Sequence, residues 1–210
     1  MTLSDAIKER NITEIVHFTT NAGLLGILAS KAILPNAQLR EDQTLSFIFE
    51  QNSAERKERD RRWLNYVNLS ITKPNYEFLS YSKYRRQDQD IFWVLLSISP
   101  EILEHDGVYF TTTNNIYPSC TRGNDLAAFE SMFSDSFIGK FQRQVTRHPS
   151  TPANQTTCEQ AEVLYPGAIP LSYVNKIYVC CDEDRFSVAG QQLSLFTKVD
   201  IIVDPSIFQR

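Results

Sequence analysis

The sequence predicts an α+β fold in one domain, and three observations carry that expectation. Of its 210 residues, 42% are hydrophobic and 22% charged, which is enough for one sizeable core and too apolar for a disordered chain. Short apolar runs of strand length alternate with segments at helical spacing. No internal repeat, low-complexity tract or linker divides the chain, so strands and helices are expected to share one core.

Residues 14–18 read as a short strand that runs into Thr19-Thr20. A helix follows, because Thr20 or Asn21 can cap it and Leu24, Ile27 and Leu28 fall on one helical face. Pro35-Asn36 marks a turn. Residues 50–62 are dense in both charge signs, the pattern of a solvated helix with paired charges. Residues 67–71 read as a strand, broken by Lys73-Pro74-Asn75. A cluster of aromatics and cations comes next: Tyr76, Phe78, Tyr81, Lys83, Tyr84, Arg85 and Arg86. The run 91–98 is almost continuously apolar, which marks a central strand buried on both faces. Residues 108–112 form another strand and 124–133 a short helix. Residues 137–158 are long, polar and aperiodic, and loops of that length in a compact domain are often functional. Strands are then expected over 160–165, 174–181 and 195–203.

Composition narrows the function classes. Thirteen Phe, nine Tyr and two Trp suit a strand-rich core and also stacking on planar ligands. The net charge is -4, whereas chains that grip nucleic acid nonspecifically are usually basic. Any such grip must therefore use a local patch. The four cysteines, Cys120, Cys158, Cys180 and Cys181, contain no C-x-x-C pair, and with three His they give no metal-ligand spacing. They read as reduced, buried thiols. Residues 1–10 are polar and charged, unlike a signal peptide, and no apolar run reaches membrane-spanning length. A soluble cytoplasmic protein without metal is expected. No phosphate-binding loop, G-x-G-x-x-G or G-x-S-x-G motif is present.

The segment Cys158-Glu159-Gln160-Ala161-Glu162-Val163-Leu164 carries the most chemistry. Glu162 stands among apolar residues at a strand start, straight after the long loop. A carboxylate there is costly without partners or a task; the plain alternative is a surface glutamate on a half-exposed strand. His17 closes the first strand and can hydrogen-bond a ligand hydroxyl. Arg56, Arg59, Arg61 and Arg62 offer bidentate donors to a phosphate, or simply line a salt-bridged helix. Residues 140–158 hold Lys140, Arg143, Arg147 and His148 and no acid before Glu159. With Tyr76, Lys83, Arg85 and Arg86 they are expected to form a groove for single-stranded nucleic acid, where aromatics stack bases and cations follow phosphates.

The order of these pieces resembles the DarT family, the DNA ADP-ribosyltransferase toxins of bacterial toxin–antitoxin pairs. His17-Phe18-Thr19-Thr20 with Leu24-Leu25-Gly26-Ile27-Leu28 looks like the family's H-x-T element and following helix. Val67-Asn68-Leu69-Ser70-Ile71, Pro74-Asn75 and Trp93-Val94 form a second match, and Gln160-Ala161-Glu162-Val163-Leu164 is similar to the family's Q-A-E strand. The resemblance implies the ADP-ribosyltransferase fold: a split, mostly antiparallel sheet with peripheral helices and an NAD⁺ cleft. It implies NAD⁺ as co-substrate, held by His17, Thr19, Thr20, Asn21, Leu24 and Arg59. Glu162 would be the catalytic glutamate. The family's arginine would be Arg59, with Arg62 and Arg56 as alternatives. The implied partners are single-stranded DNA and a macrodomain antitoxin of the DarG type. Many members carry Y-V-P-F-Y-F where Tyr66-Val67-Asn68-Leu69-Ser70-Ile71 stands here, which resembles the branch associated with guanine rather than thymine. A transferase acting on RNA or protein, or a non-catalytic nucleic-acid-binding module, are the alternative readings.

Overall fold

A computed structural model describes residues 1–39 and 61–209. The expected charged helix lies outside the described residues except for Arg61 and Arg62, and so do Arg56 and Arg59. Among the described residues, one sheet is built from eight strands: β1 (Ile15–Thr20), β3 (Tyr66–Ile71), β4 (Trp93–Ile98), β5 (Tyr109–Thr111), β6 (Arg122–Gly123), β9 (Glu162–Pro166), β11 (Val174–Val179) and β12 (Asp200–Val203). Their order across the sheet is β12-β11-β4-β1-β3-β9-β5-β6. All neighbours are antiparallel except β11 and β12. Two small ribbons pair β2 (Ala32–Ile33) with β10 (Ile169–Pro170) and β7 (Ser136–Ile138) with β8 (Gln144–Thr146).

Strand alternation builds a core on each side of this sheet. On one side Ile15, Val94, Leu96, Ile98, Ile177 and Val179 meet the helices α1 (Leu3–Glu9), α2 (Asn21–Ser30), α4 (Leu126–Ser131) and α5 (Asp182–Ser194). On the other, Val16, Trp93, Leu95 and Tyr178 meet Tyr76 and Leu79 of α3 (Tyr76–Arg85), together with Phe208. Every residue of β4 is buried, as its apolar run requires, and each fully buried Leu or Ile contributes about 1.5–3 kcal/mol.

Three expectations change. The aromatic–cation cluster from Tyr76 onward is the helix α3, capped by Asn75, whose side chain accepts from Phe78 N at 3.0 Å. The helix α5 fills the interval before β12, so the last expected strand shrinks to Asp200–Val203 and Cys181 becomes the residue before α5. The polar loop contains the β7–β8 hairpin.

The sheet divides between β1 and β3. The two pair only at Ile15 with Ile71 and Val16 with Ser70. From His17 onward β1 stays with β4, out to Thr20 opposite Trp93. Meanwhile β3 keeps β9 from Leu69 opposite Val163 to Tyr66 opposite Pro166. Each strand holds a full ladder with its own half, so the two halves of the sheet part past Val16 and Ser70.

Candidate active site

His17 stands where the two halves part. Its Nδ1 lies 3.0 Å from the carbonyl oxygen of Asn68 on β3. A carbonyl only accepts, so Nδ1 carries the hydrogen and Nε2 of the neutral ring is left as an acceptor. Burial pushes the imidazole below its usual range, partly opposed by the Asn68 carbonyl. Two residues on, Thr19 is buried over the first turn of α2. A Cβ at Gly23 would come within 2.0 Å of the Thr19 hydroxyl oxygen, so the bare backbone of Gly23 lets that hydroxyl sit there.

Glu162 is the first residue of β9. Its Oε1 accepts from Asn68 Nδ2 at 3.1 Å, and its Oε2 accepts from the backbone N–H of Asn115 at 2.8 Å. Its own N–H donates to Thr111 Oγ1 at 2.9 Å. The Thr111 hydroxyl lies 2.8 Å from the Thr113 carbonyl and 3.1 Å from that of Glu162. It has one hydrogen, and the shorter approach takes it. The segment before β9 is tied to α3 through Gln160 Nε2, which donates to Glu77 Oε2 at 2.5 Å. Asn68 therefore touches both expected site residues: its carbonyl holds His17 and its amide holds Glu162.

The other expected ligands divide. Thr20 is fully buried and its hydroxyl caps α2 by accepting from Gly23 N at 3.2 Å, while Leu24 is fully buried in the core. Both are enclosed by the first turn of α2 and the core beneath it. Asn21 is half-buried, and its Oδ1 has no hydrogen-bond partner among the described residues. Arg62 is exposed on the Arg61–Trp63 turn that leads into β3.

The residues of the expected nucleic-acid surface fall in different settings. Tyr76 and Arg86 are buried, and Lys83 donates to the Phe208 carbonyl at 3.3 Å with its ammonium 5.3 Å from the Phe208 ring centre. Arg147 donates to the carbonyls of Gln155 at 2.8 Å and Pro152 at 2.6 Å. It closes the loop on itself, because a partly buried guanidinium must find acceptors for its N–H groups. Arg85, Lys140, Arg143 and His148 are exposed. Lys140 and Arg143 flank the tip of the β7–β8 hairpin, where Phe141 is 77% exposed and both Phe141 and Gln142 adopt φ of 58°. Two left-handed residues in succession make the tight turn that matches strand twist, at a steric cost to non-glycine residues.

Sequence reading missed a second group beside Glu162. Trp63 sits edge-on to Tyr66, with ring centres 5.0 Å apart, and to Tyr109 at 5.3 Å. The Arg122 guanidinium carbon is 6.0 Å from the Trp63 ring centre, and its Nη2 donates to the Asn115 carbonyl at 2.7 Å. An asparagine inside a strand, as at Asn68, was the one local signal, since asparagine is depleted in strands. Among the described residues no group of His, Cys, Asp and Glu is placed to hold a metal ion. No described helix is long and apolar enough to cross a membrane.

A family model described as "ssDNA thymidine ADP-ribosyltransferase, DarT" matches residues 16–208. Among solved structures, Thermus sp. 2.9 DarT in complex with ADP-ribosylated ssDNA superposes with a TM-score of 0.65 at 17% identity, over 95% of this chain and 97% of that one. The same Thermus protein in complex with NAD⁺ gives 0.65 at 16% identity, over 94% and 98%. Thermosipho africanus DarTG in complex with ADP-ribose gives 0.56 at 13% identity, over 93% of this chain and 51% of that one. At such identity the likeness establishes the ADP-ribosyltransferase fold. No curated protein matches the sequence.

Proposed function

The chain belongs to the DarT family, and from that membership we propose that it cleaves NAD⁺ and transfers ADP-ribose to a base in single-stranded DNA. The observation that carries this reading is the Glu162 carboxylate, held at both oxygens beside the parting of the sheet, with His17 hydrogen-bonded across that parting. Residues 1–210 are read as one transferase domain acting in the cytoplasm as a toxin, with a macrodomain antitoxin of the DarG type as its partner. The toxin role rests on the family resemblance. The Thermosipho neighbour bears the joint name DarTG, and this chain spans about half its length.

The chemistry follows from the groups present. The neutral Nε2 of His17 accepts a hydrogen bond from a hydroxyl or amide of the bound dinucleotide. Glu162 accepts from the ribose 2′-hydroxyl, and its charge stabilises the cation that develops at C1′. The bond from C1′ to nicotinamide breaks with its electron pair on nicotinamide. A base nitrogen then bonds to C1′ and releases its proton toward the carboxylate. Asn68 and the Asn115 N–H fix the carboxylate, so placement and charge are arranged before substrate arrives. An arginine of the 56–62 stretch steadies the pyrophosphate, with Arg59 as the first candidate and Arg62 and Arg56 as alternatives.

We favour guanine over thymine as the acceptor, although the family description names thymidine. The support is the Tyr66–Ile71 segment, where Asn68 stands in place of the proline that many members carry. Labelled NAD⁺ incubated with single-stranded DNA, RNA and protein separately should label DNA. Glu162→Ala should keep the wild-type circular dichroism spectrum and lose transfer by roughly 10²–10³-fold, the usual cost of removing a group that stabilises transition-state charge. Full transfer by that variant removes Glu162 from the mechanism, and label on RNA or protein alone redirects the target.

A further inference from the structure

Glu162, Thr111 and Arg122 stand on one rung of the sheet. Register places Glu162 opposite Thr111 on β5 and Thr111 opposite Arg122 on β6. Side chains directly opposite on antiparallel strands rise from the same face. Arg122 therefore stands on the Glu162 face, two strand spacings away, roughly 10 Å. Asn115 joins them: its N–H donates to Glu162 Oε2 and its carbonyl accepts from Arg122 Nη2.

Three further features meet there. Arg122 is exposed, and a guanidinium has five N–H groups in a rigid fork, so the Asn115 bond leaves others for a ligand. The Trp63 ring beside it is half-buried and braced by Tyr66 and Tyr109. Asn115 is 5% exposed, and its side-chain Oδ1 is buried without a hydrogen-bond partner among the described residues. A buried acceptor left open is uncommon and marks where a donor is needed. A flat ring and a donor fork, linked to the carboxylate through the Asn115 backbone, complement a flat ligand with acceptors on one edge.

We propose that Trp63, Arg122 and Asn115 form the subsite for the acceptor base and that Arg122 selects guanine. This deepens the transferase reading of Glu162 and rests on it. Guanine presents O6 and N7 together to one guanidinium and offers N–H groups on the neighbouring edge. Thymine presents a single carbonyl and a methyl group at the corresponding edge. The purine also gives Trp63 more surface to stack on. The segment that holds Glu162 thus also holds the group that chooses what Glu162 modifies.

The test is transfer from labelled NAD⁺ to single-stranded oligonucleotides carrying guanine, 7-deazaguanine or thymine as the variable base. Arg122→Ala should lower the guanine-to-thymine preference on the order of ten- to a hundredfold, the range of one bidentate pair. Arg122→Lys, which keeps the charge and gives up the fork, should lower it nearly as far. The 7-deaza base should cost the wild type much of that preference and cost Arg122→Ala nothing more, because both changes remove the same interaction. Trp63→Ala should raise KM for the oligonucleotide without a matching rise in KM for NAD⁺. Unchanged preference in Arg122→Ala overturns the proposal, and so does a loss that follows KM for NAD⁺ instead. A wild type that modifies thymine and ignores guanine ends the guanine assignment while leaving the transferase reading standing. A wild type that modifies no DNA ends both.

Discussion

A neutral imidazole at His17 accepts at Nε2, and a protonated one donates at both nitrogens. Its charge state therefore decides whether it can receive a substrate hydrogen bond. Burial holds its pKa below the ordinary 6.5. The unfolded chain takes up this proton near 6.5 and the folded chain only at lower pH. Stability from the neutral ring is thus complete above 6.5 and is lost as pH falls from there toward the folded value. NAD⁺ affinity should fall at lower pH still, where the ring of the folded chain itself takes up the proton, and His17→Gln should flatten both profiles. A His17→Gln variant with the wild-type acid profile in calorimetry and NAD⁺ titration counts against this role. At this scale the positions of Glu162 and His17 in their strands were legible because each sits where strand and loop patterns meet. Asn68 was not, because it meets Glu162 across 94 positions of chain, and that meeting depends on strand register.

Elements were legible where burial is strictly apolar. The spacing of Leu24, Ile27 and Leu28 announced α2, but the buried face of α3 is Tyr76, Leu79 and Ser82, and its polar members hide the period. Likewise α5 buries only Val188 and Gln192 within its span. Its presence follows from topology, since parallel strands such as β11 and β12 need a crossover, commonly a helix. The loop before Glu162 proved to hold a hairpin, followed by a turn that the Arg147 guanidinium closes on the carbonyls of Gln155 and Pro152, which leaves Lys140 and Arg143 as the outward cations of the hairpin tip. Replacing both with alanine should weaken single-stranded DNA binding. It should lower the slope of log affinity against log salt by about 0.7 for each phosphate the protein no longer neutralises. Binding that keeps the same slope in a salt titration would place the phosphate grip elsewhere.

Across the whole molecule, the central place of the 91–98 run was legible from its apolarity, and β4 lies between β1 and β11 with both faces covered. Strand order was not legible, because it is set by pairings distant in sequence. Leu96 of β4 is fully buried, so Leu96→Ala should destabilise the fold by about 2–5 kcal/mol in urea unfolding. A change below about 1 kcal/mol would mean that this centre repacks freely. Among the described residues, exposed cations stand at the hairpin tip, at Arg122 and on the turn before β3, and others such as Lys8, Lys31, Lys73, Lys176 and Lys198 are spread over the rest of the surface.

The parting of β1 from β3 has one shut end, at Val16 and Ser70, and one open end. Whatever lodges against the shut end must enter before anything that covers it, and must leave after it. Two reactants using such an opening form a queue. Order of arrival is then a property of the sheet, decided by where one ladder of hydrogen bonds stops.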